Sequence, residues 1–242
     1  LTKHIISTSE FVSKIQDECL QAGLDKYVVT GLPRNDVFFK QTEPDQQTEK
    51  FNNFSRIVLY APTWRHNRNE TVFFPFQDFS LNKLTDYLSE NNILLILRPH
   101  KNELKKQSTI QLLKSIGDKN KNILLGTHDK FPDVNLLLRN IDILITDYSG
   151  IYHDFSLLNK KMIFVPYDYD EFDENNGFLY DYYEFLPGKI IKSQLDLQRE
   201  IVDTKPNISK IKKLNDLLHI FKDGNSSMRV SQLITKKYFN SK

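Results

Sequence analysis

Five short apolar runs recur along the chain, and each ends in a polar cluster rich in Pro, His, Asp or Ser. The runs are Ile57–Tyr60, Ile93–Leu97, Ile123–Leu125, Ile143–Ile145 and Met162–Val165. Helix-like stretches separate them, so they predict parallel strands buried on both faces, in a Rossmann-like α/β sheet with helices on both sides. Open parallel sheets bind ligands outside the carboxyl ends of their strands. The ligand site is therefore expected at the strand exits.

Length and composition are those of a folded domain. The chain has 242 residues, of which 39% are hydrophobic and 26% charged, and it can hold one large or two small domains. The single Cys19 excludes a disulfide framework and predicts a reducing compartment. Residues 1–45 resemble the end of one domain plus a linker, so a piece of a longer protein is expected, with residues 46–242 forming the main domain. The polar stretch Lys40–Asn53 is the best linker candidate, and a helix is predicted over 102–117.

Charge is distributed unevenly along the chain. Residues 189–242 carry 12 Lys or Arg against 5 Asp or Glu, although the net charge of the whole chain is only +2. A basic segment can lie on an anionic membrane or polymer, but a solvated helix face is favoured because no apolar anchor accompanies the charge. No nucleic-acid-binding motif is found, so DNA and RNA are not expected partners.

The segment Arg98-Pro99-His100 follows the second run and is the sharpest candidate for chemistry. Pro99 fixes the turn, which aims His100 over the sheet edge beside Arg98. A histidine there can move a proton or bind phosphate, and a guanidinium suits phosphate oxygens. The alternative is structural, with His100 capping the next helix and Arg98 pairing with a surface acid.

Three further strand exits carry candidates for phosphate binding. Asp147, Ser149 and Gly150 join the fourth run to a predicted helix over 150–159, whose first N–H groups suit a diphosphate. An ordinary N-cap by Ser149 is compatible with the same residues. The remaining candidates at the strand exits are Thr63, Arg65, Thr127 and His128.

The segment 168–188 is long, acidic and aromatic and shows no clear period, which predicts a functional loop. No spacing of His, Asp or Glu suggests a metal site, and no phosphate-cradling glycine motif is found.

Taken together, six segments resemble the CDP-glycerol:glycerophosphate glycerophosphotransferase family, the polymerases and primases of teichoic acid and related capsules. Their order and spacing cover nearly the whole chain. The segments are Gly31–Asp36, Leu59–Arg65, Arg98–His100, Ile145–Phe155, Phe164–Asp168 and Gly177–Tyr182.

The resemblance implies a GT-B architecture of two Rossmann-like domains with the active site in the cleft between them. Residues 1–45 would end the acceptor-side N-terminal domain, and residues 46–242 would bind a CDP-polyol. The implied reaction transfers glycerol phosphate or ribitol phosphate to an acceptor hydroxyl and releases CMP, without a metal or other cofactor. The acceptor would be a polyol phosphate or glycan, in some cases lipid-linked, and the enzyme cytoplasmic or peripheral on the inner membrane face.

The strand-exit pattern and the resemblance together give the predicted site residues. His100 and Arg98 are the predicted catalytic residues. The predicted substrate-binding residues are Arg34, Asn35, Asp36, Thr63, Arg65, Thr127, His128, Asp147, Ser149, Gly150, Asp168, Asn176 and Gly177.

Two departures from the family pattern bear on function. The family's HGTP-type histidine is expected just upstream of Leu1, and Asn176 stands before Gly177 where the family often has Arg. We expect segment 168–188 to close over the donor's polyol end and Asn176 to discriminate between polyols. Two other functions remain open, a GT-B glycosyltransferase using a nucleotide sugar and a non-catalytic domain that binds nucleotide or polymer.

Overall fold

The computed structural model describes residues 3–40, 46–65, 71–105, 113, 116 and 120–239, and these residues form two parallel sheets. The small sheet pairs β1 (Ile5–Ser7) with β2 (Tyr27–Val29). The large sheet contains β3 (Arg56–Tyr60), β4 (Ile93–Leu97), β5 (Ile123–Leu125), β6 (Ile143–Thr146), β7 (Lys161–Phe164) and β8 (Lys189–Ile190).

The order of strands in the large sheet is β5-β4-β3-β6-β7-β8, and every neighbouring pair is parallel. This order reverses between β3 and β6, and a doubly wound sheet has its ligand crevice at that reversal. The prediction of a Rossmann-like parallel sheet is confirmed. The separate small sheet agrees with a boundary near residue 45, although the division into domains stays a prediction.

The helices of the described ranges lie on both faces of the large sheet. Ser9, Ser80, Asp133, Ser193 and Asn207 each cap a helix by accepting a backbone N–H. None of these helices is long and apolar enough to span a bilayer. They are α1 (Glu10–Leu20), α2 (Gln46–Glu49), α3 (Leu81–Glu90), α4 (Val134–Arg139), α5 (Ile151–Ser156), α6 (Tyr169–Asn176), α7 (Gln194–Val202), α8 (Ile208–Leu218) and α9 (Ser226–Ile234).

Burial on both faces explains why the strands read as continuous apolar runs. One core cluster packs α4, α5 and α8 against the sheet through residues such as Leu137, Phe155 and Leu214. The other packs α3 and α7 through residues such as Leu84 and Leu197. A polar residue on either face of the sheet would be buried in one of these two clusters. The runs therefore do not alternate between polar and apolar residues.

Two predictions of local structure need correction, and a third lies largely outside the described residues. The predicted loop 168–188 begins with α6, which Asp168 and the acidic first turn favour electrostatically. The stretch 46–53, predicted as linker, forms α2 and a 3₁₀ turn, and Phe51 is buried in the core. The helix predicted over 102–117 falls largely outside the described residues, apart from a 3₁₀ turn at Glu103–Lys105.

The amino-terminal segment is fastened to the carboxyl-terminal helix through one carboxylate. Asp36 is buried, and its two oxygens accept the backbone N–H groups of Ser226 and Ser227 at the start of α9, each at 2.8 Å. Burial alone would raise the pKa of Asp36, but these hydrogen bonds outweigh it and the pKa is lowered. Asp36 therefore joins two distant parts of the chain.

A buried ion network holds together the exits of β3, β6 and β7. The guanidinium of Arg65 donates to Asp168 at 2.6 and 2.8 Å and to Asp147 at 2.9 Å. It also donates to the carbonyl of Thr63 at 2.6 Å. Burial alone would lower the pKa of Arg65, but the two carboxylates outweigh it and raise the pKa. This network fixes the positions of the three loops that surround the crevice.

Replacing Arg65 by Met should therefore destabilise the fold strongly. Arg65→Met leaves Asp147 and Asp168 buried without their counter-charge, and we expect a loss of about 3–5 kcal/mol in the free energy of unfolding. Urea denaturation measures this loss.

Arg199→Met is the matched control, because the side chains of Arg199 and its partner Asp196 are 68% and 50% exposed. An exposed pair contributes at most about 1 kcal/mol. Similar losses for the two variants would contradict the structural role of Arg65.

Candidate functional site

A cleft of ≈ 530 Å³ lies between the amino-terminal segment and the carboxyl edge of the large sheet. Its walls come from β1, α1 and the Leu32–Arg34 turn on one side, and from the β4 and β6 exits and α5 on the other. Its polar walls include Arg34, Arg98, Asn135, Gly150, His153, Asp154 and His219. The cleft thus brings together three of the predicted residues, Arg34, Arg98 and Gly150.

Arg98 is the cation of this cleft that lacks a carboxylate partner. Its guanidinium donates to the carbonyls of Gly126 and Phe131, each at 3.1 Å. In the described part of the chain no ion pair reaches it, and its pKa is lowered by burial alone. A half-buried guanidinium held by two carbonyls keeps its full positive charge available, which favours binding of an anion.

Arg34 and Asn35 are engaged with the opposite wall of the cleft. Arg34 Nε donates to Asp154 at 3.0 Å, and the Asn35 amide donates to the same carboxylate at 2.9 Å. The Asn135 amide donates to Asn35 Oδ1 at 2.8 Å. These contacts hold the Pro33–Phe38 turn against α4 and α5, so Asn35 has a structural role and Arg34 is largely neutralised.

Sequence reasoning missed the part of the cleft around His153. Its Nε2 lies 2.5 Å from the hydroxyl of Tyr180, which also contacts the hydroxyl of Tyr152 at 2.8 Å. His219 Nε2 contacts the backbone carbonyl of His153 at 3.0 Å. Burial lowers the pKa of His153 to about 4, so its imidazole is neutral at pH 7. A neutral ring is compatible with an anion beside it and adds no charge.

His100 lies apart from the residues that line the cleft. It is exposed, and its ring stacks on Trp64 with centroids 5.5 Å apart and planes 12° from parallel. Nδ1 accepts the backbone N–H of Asn102 at 3.3 Å, so Nε2 is the ring nitrogen that does not take part in this contact. Partial burial, with Lys101 as a secondary cause, lowers the pKa of His100. The side chain is therefore a neutral, accessible imidazole at neutral pH.

The predicted phosphate ligands at the β3 and β6 exits are occupied by the Arg65 network. Asp147 Oδ1 accepts both the backbone N–H and the hydroxyl of Thr63, at 2.7 and 2.6 Å. Arg65 itself is almost fully paired. The helix predicted to run over 150–159 is only Ile151–Ser156, and Gly150 rather than Ser149 is its N-cap. Gly150 therefore lines the cleft at the β6 exit. The ion pairs of Arg65 with Asp147 and Asp168 hold the neighbouring loops in place.

The other predicted binding residues are placed away from the cleft walls. Thr127 is buried after β5, and His128 beside it is exposed. Asn176 and Gly177 are exposed at the carboxyl end of α6, where Gly177 adopts a φ of 67°. Asp36 lies under α9. Their roles in binding stay predictions.

Comparison with known proteins agrees with this arrangement. A family model described as CDP-Glycerol:Poly(glycerophosphate) glycerophosphotransferase matches residues 2–236. The teichoic acid poly(ribitol-phosphate) polymerase of Bacillus spizizenii is 30% identical over 239 residues, which cover 95% of this chain and 36% of that protein. The teichoic acid glycerol-phosphate primase of Bacillus subtilis is 29% identical over 206 residues, covering 84% of this chain and 50% of that one.

Solved structures give the same relationship. A variant of the wall teichoic acid polymerase TagF superposes with a TM-score of 0.74 at 25% identity, over 97% of this chain and 57% of that chain. The chain thus spans about a third of the first curated relative and over half of the solved polymerase.

The order of the motifs, the parallel sheet with its crevice at the β3–β6 reversal and the match of the family model over residues 2–236 lead to one assignment. The chain belongs to the CDP-Glycerol:Poly(glycerophosphate) glycerophosphotransferase family.

Proposed function

We propose that this chain supplies the donor-binding half of an enzyme that transfers a polyol phosphate from a CDP-polyol to an acceptor hydroxyl in the synthesis of a teichoic-acid-type polymer. The observation that carries the proposal is Arg98, a half-buried guanidinium without a carboxylate partner among the described residues, facing a cleft at the strand exits. The diphosphate of the donor would supply the missing negative charge.

The relatives support this chemistry. Their names include ribitol-phosphate polymerases and glycerol-phosphate primases, and one TagF structure, 25% identical to this chain, was soaked with CDPG. A nucleotide-sugar glycosyltransferase would share the fold and differ in its donor, so incubating the full-length protein with CDP-polyols and with UDP-sugars separates the two functions. Because relatives of both kinds match similarly well, the donor's polyol is left open between glycerol and ribitol.

The proposed reaction is an in-line displacement at the β-phosphorus. The acceptor oxygen forms a new P–O bond, the bond from the β-phosphorus to the bridging oxygen breaks, and CMP leaves with the electron pair. Arg98 would stabilise the negative charge that develops on the phosphates. His100, neutral because its pKa is lowered, would take the proton of the acceptor hydroxyl. That the reaction needs no metal stays part of the proposal, and activity retained in EDTA would support it.

Segment 168–188 has a further proposed role at the polyol end of the donor. Tyr182 is buried, its hydroxyl donates to the carbonyl of Asp147 at 3.2 Å, and Tyr180 contacts His153. The segment is therefore fastened to the β6 exit and to α5. Asp168 and Phe172 hold the start of α6 against Arg65, so any closing motion is confined to the end of α6, where Asn176 and Gly177 are exposed.

Binding of nucleotides tests the donor site directly. Calorimetry should show that CDP-glycerol or CDP-ribitol binds far more tightly than cytidine, because the phosphates dominate the affinity. Arg98→Gln should weaken CDP binding by about tenfold or more, the usual scale for a charge-assisted hydrogen bond. Cytidine binding should be unchanged in the same variant. Equal affinities of CDP and cytidine for the unaltered protein would exclude a phosphate site here.

Turnover tests the role of His100. In the full-length enzyme, His100→Ala should lower kcat by about 10²-fold or more, while the free energy of unfolding stays within about 0.5 kcal/mol because the side chain is exposed. A base with a lowered pKa is lost as the pH falls through that pKa, so the unaltered enzyme should lose activity on the acidic side, at a pH below the ordinary titration range of histidine. The variant should lack this acidic limb. An unchanged pH profile would assign the proton transfer to another group.

A further inference from the structure

A second polar cavity, on the edge of the large sheet remote from the Arg98 cleft, is not explained by donor binding. It has a volume of ≈ 440 Å³ and lies beside β7 and β8, between the Tyr183–Gly188 stretch and the junction of α7 and α8. Its charged lining residues are Lys161, Lys189, Glu200, Asp203, Lys205 and Lys210. We call this cavity the lysine groove.

The lysines of this groove fall into two classes. Lys161 is buried, with Nζ 3.0 Å from Glu200 and 3.3 Å from Asp203, and Lys189 lies 2.6 Å from Glu200. These pairs use both acids of the lining. Lys205 and Lys210 are exposed, and within the described residues their ammonium groups make no hydrogen bond or ion pair of 4 Å or less. Lys205 and Lys210 are therefore the lysines of the groove without a carboxylate within 4 Å among the described residues, although Asp203 is near enough to Lys205 to interact with its charge. The charges of Lys161, Lys189, Glu200 and Asp203 balance one another.

A neighbouring cavity extends the lysine groove towards the carboxyl edge of the sheet. This cavity has a volume of ≈ 480 Å³ and shares Tyr183 and Ile190 with the groove as lining residues. It adds Lys192, Asp170 and the ring of Tyr167, which lies 5.1 Å from the Arg65 guanidinium. The two cavities together reach from the strand exits to the opposite end of β7.

This path is longer than a single phosphate group. From Lys161, at the start of β7, to Tyr167, beyond its end, the chain advances six residues, or about 20 Å at the rise of a strand. Gly188 lets the Pro187–Gly188 stretch pack directly on β7 as one wall of this path, because a Cβ at this position would lie 2.1 Å from the carbonyl oxygen of Met162. Lys205, Lys210 and Lys192 are exposed along the path. A chain with repeated negative charges fits both this length and these cations.

We propose that the lysine groove and its neighbouring cavity bind a phosphodiester-linked polyol chain, the growing polymer, along the outer edge of the sheet. The ammonium groups of Lys205, Lys210 and Lys192 neutralise its phosphates, and the half-exposed ring of Tyr183 contacts its carbon chain. The inference rests on the proposed function for the identity of the polymer, but its evidence lies outside the Arg98 cleft. A concave path between secondary-structure elements fits a single chain better than a flat anionic bilayer.

Binding of a defined oligomer tests the proposal. Lys205→Glu with Lys210→Glu should weaken binding of a synthetic, fluorescently labelled glycerol-phosphate decamer by about tenfold or more at low salt. The slope of log affinity against log salt should fall by about one to two units, because two phosphate contacts are lost. Uncharged polyglycerol of the same length should not bind to either protein.

Lys83→Glu with Lys121→Glu is the matched control, since both lysines are exposed and neither lines the two cavities. This pair makes the same change in net charge and should leave decamer binding unchanged. If the two double variants weaken decamer binding equally, net charge alone explains the effect and the proposal is overturned. A groove variant that binds the decamer normally but no longer binds phosphatidylglycerol vesicles would overturn it as well, since the lysines would then serve a membrane surface.

The proposal fails independently of the donor site. Calorimetry with CDP reports on the Arg98 cleft, and the groove variant should bind CDP as the unaltered protein does. If no polyol transfer is found but decamer binding depends on Lys205 and Lys210, the groove stands as a polyanion site and the proposed function falls. If transfer occurs and decamer binding ignores these lysines, the groove proposal falls alone. In the full-length enzyme, groove variants should make shorter polymers at an unchanged rate of first transfer.

Discussion

The Arg65 guanidinium is the interaction on which the carboxyl edge of the sheet depends. It joins loops that follow three strands, and its partners Asp147 and Asp168 lie 82 and 103 residues further along the chain. The rings of Tyr148, Tyr167 and Phe172 pack around it, with centroids 5.1 to 5.5 Å away. Removal of this cation would leave the buried Asp147 and the partly buried Asp168 without their counter-charge. The crevice at the strand reversal is therefore rigid where its loops begin, and a ligand meets preorganised walls.

The cations around this edge differ in whether a carboxylate already neutralises them. Arg65 and Arg34 are paired with acids, and Arg98 is held by two carbonyls. Carbonyl oxygens orient a guanidinium without cancelling its charge, which is the arrangement that an anion site needs. The same distinction separates Lys161 from Lys205 at the far end of the sheet. Counting basic residues in the sequence would have given all of these cations equal weight.

Fold and site differed in how far the sequence could predict them. Five of the six strands of the large sheet were predicted, because burial on both faces excludes polar residues from their apolar runs. The sixth, β8, has only two residues and no such run. Helix α6 was missed, since Tyr169 and Phe172 provide only one apolar turn in an acidic stretch. Arg65 was predicted to hold phosphate, and the sequence carried no sign that Asp147 and Asp168 would occupy it. The contact of His153 with Tyr180 is likewise a product of tertiary packing, 27 residues apart.

A sheet of this topology has two ends, and the charge pattern suggests a use for both. The carboxyl ends of the strands hold Arg98 and the crevice, as expected of a doubly wound fold. The edge strand β8 has only two residues. The path beside β7 and β8 is lined by side chains and by the Tyr183–Gly188 stretch. A short edge strand also limits unwanted pairing with other chains. The same shortness leaves room for the path that we propose for an anionic polymer along the sheet.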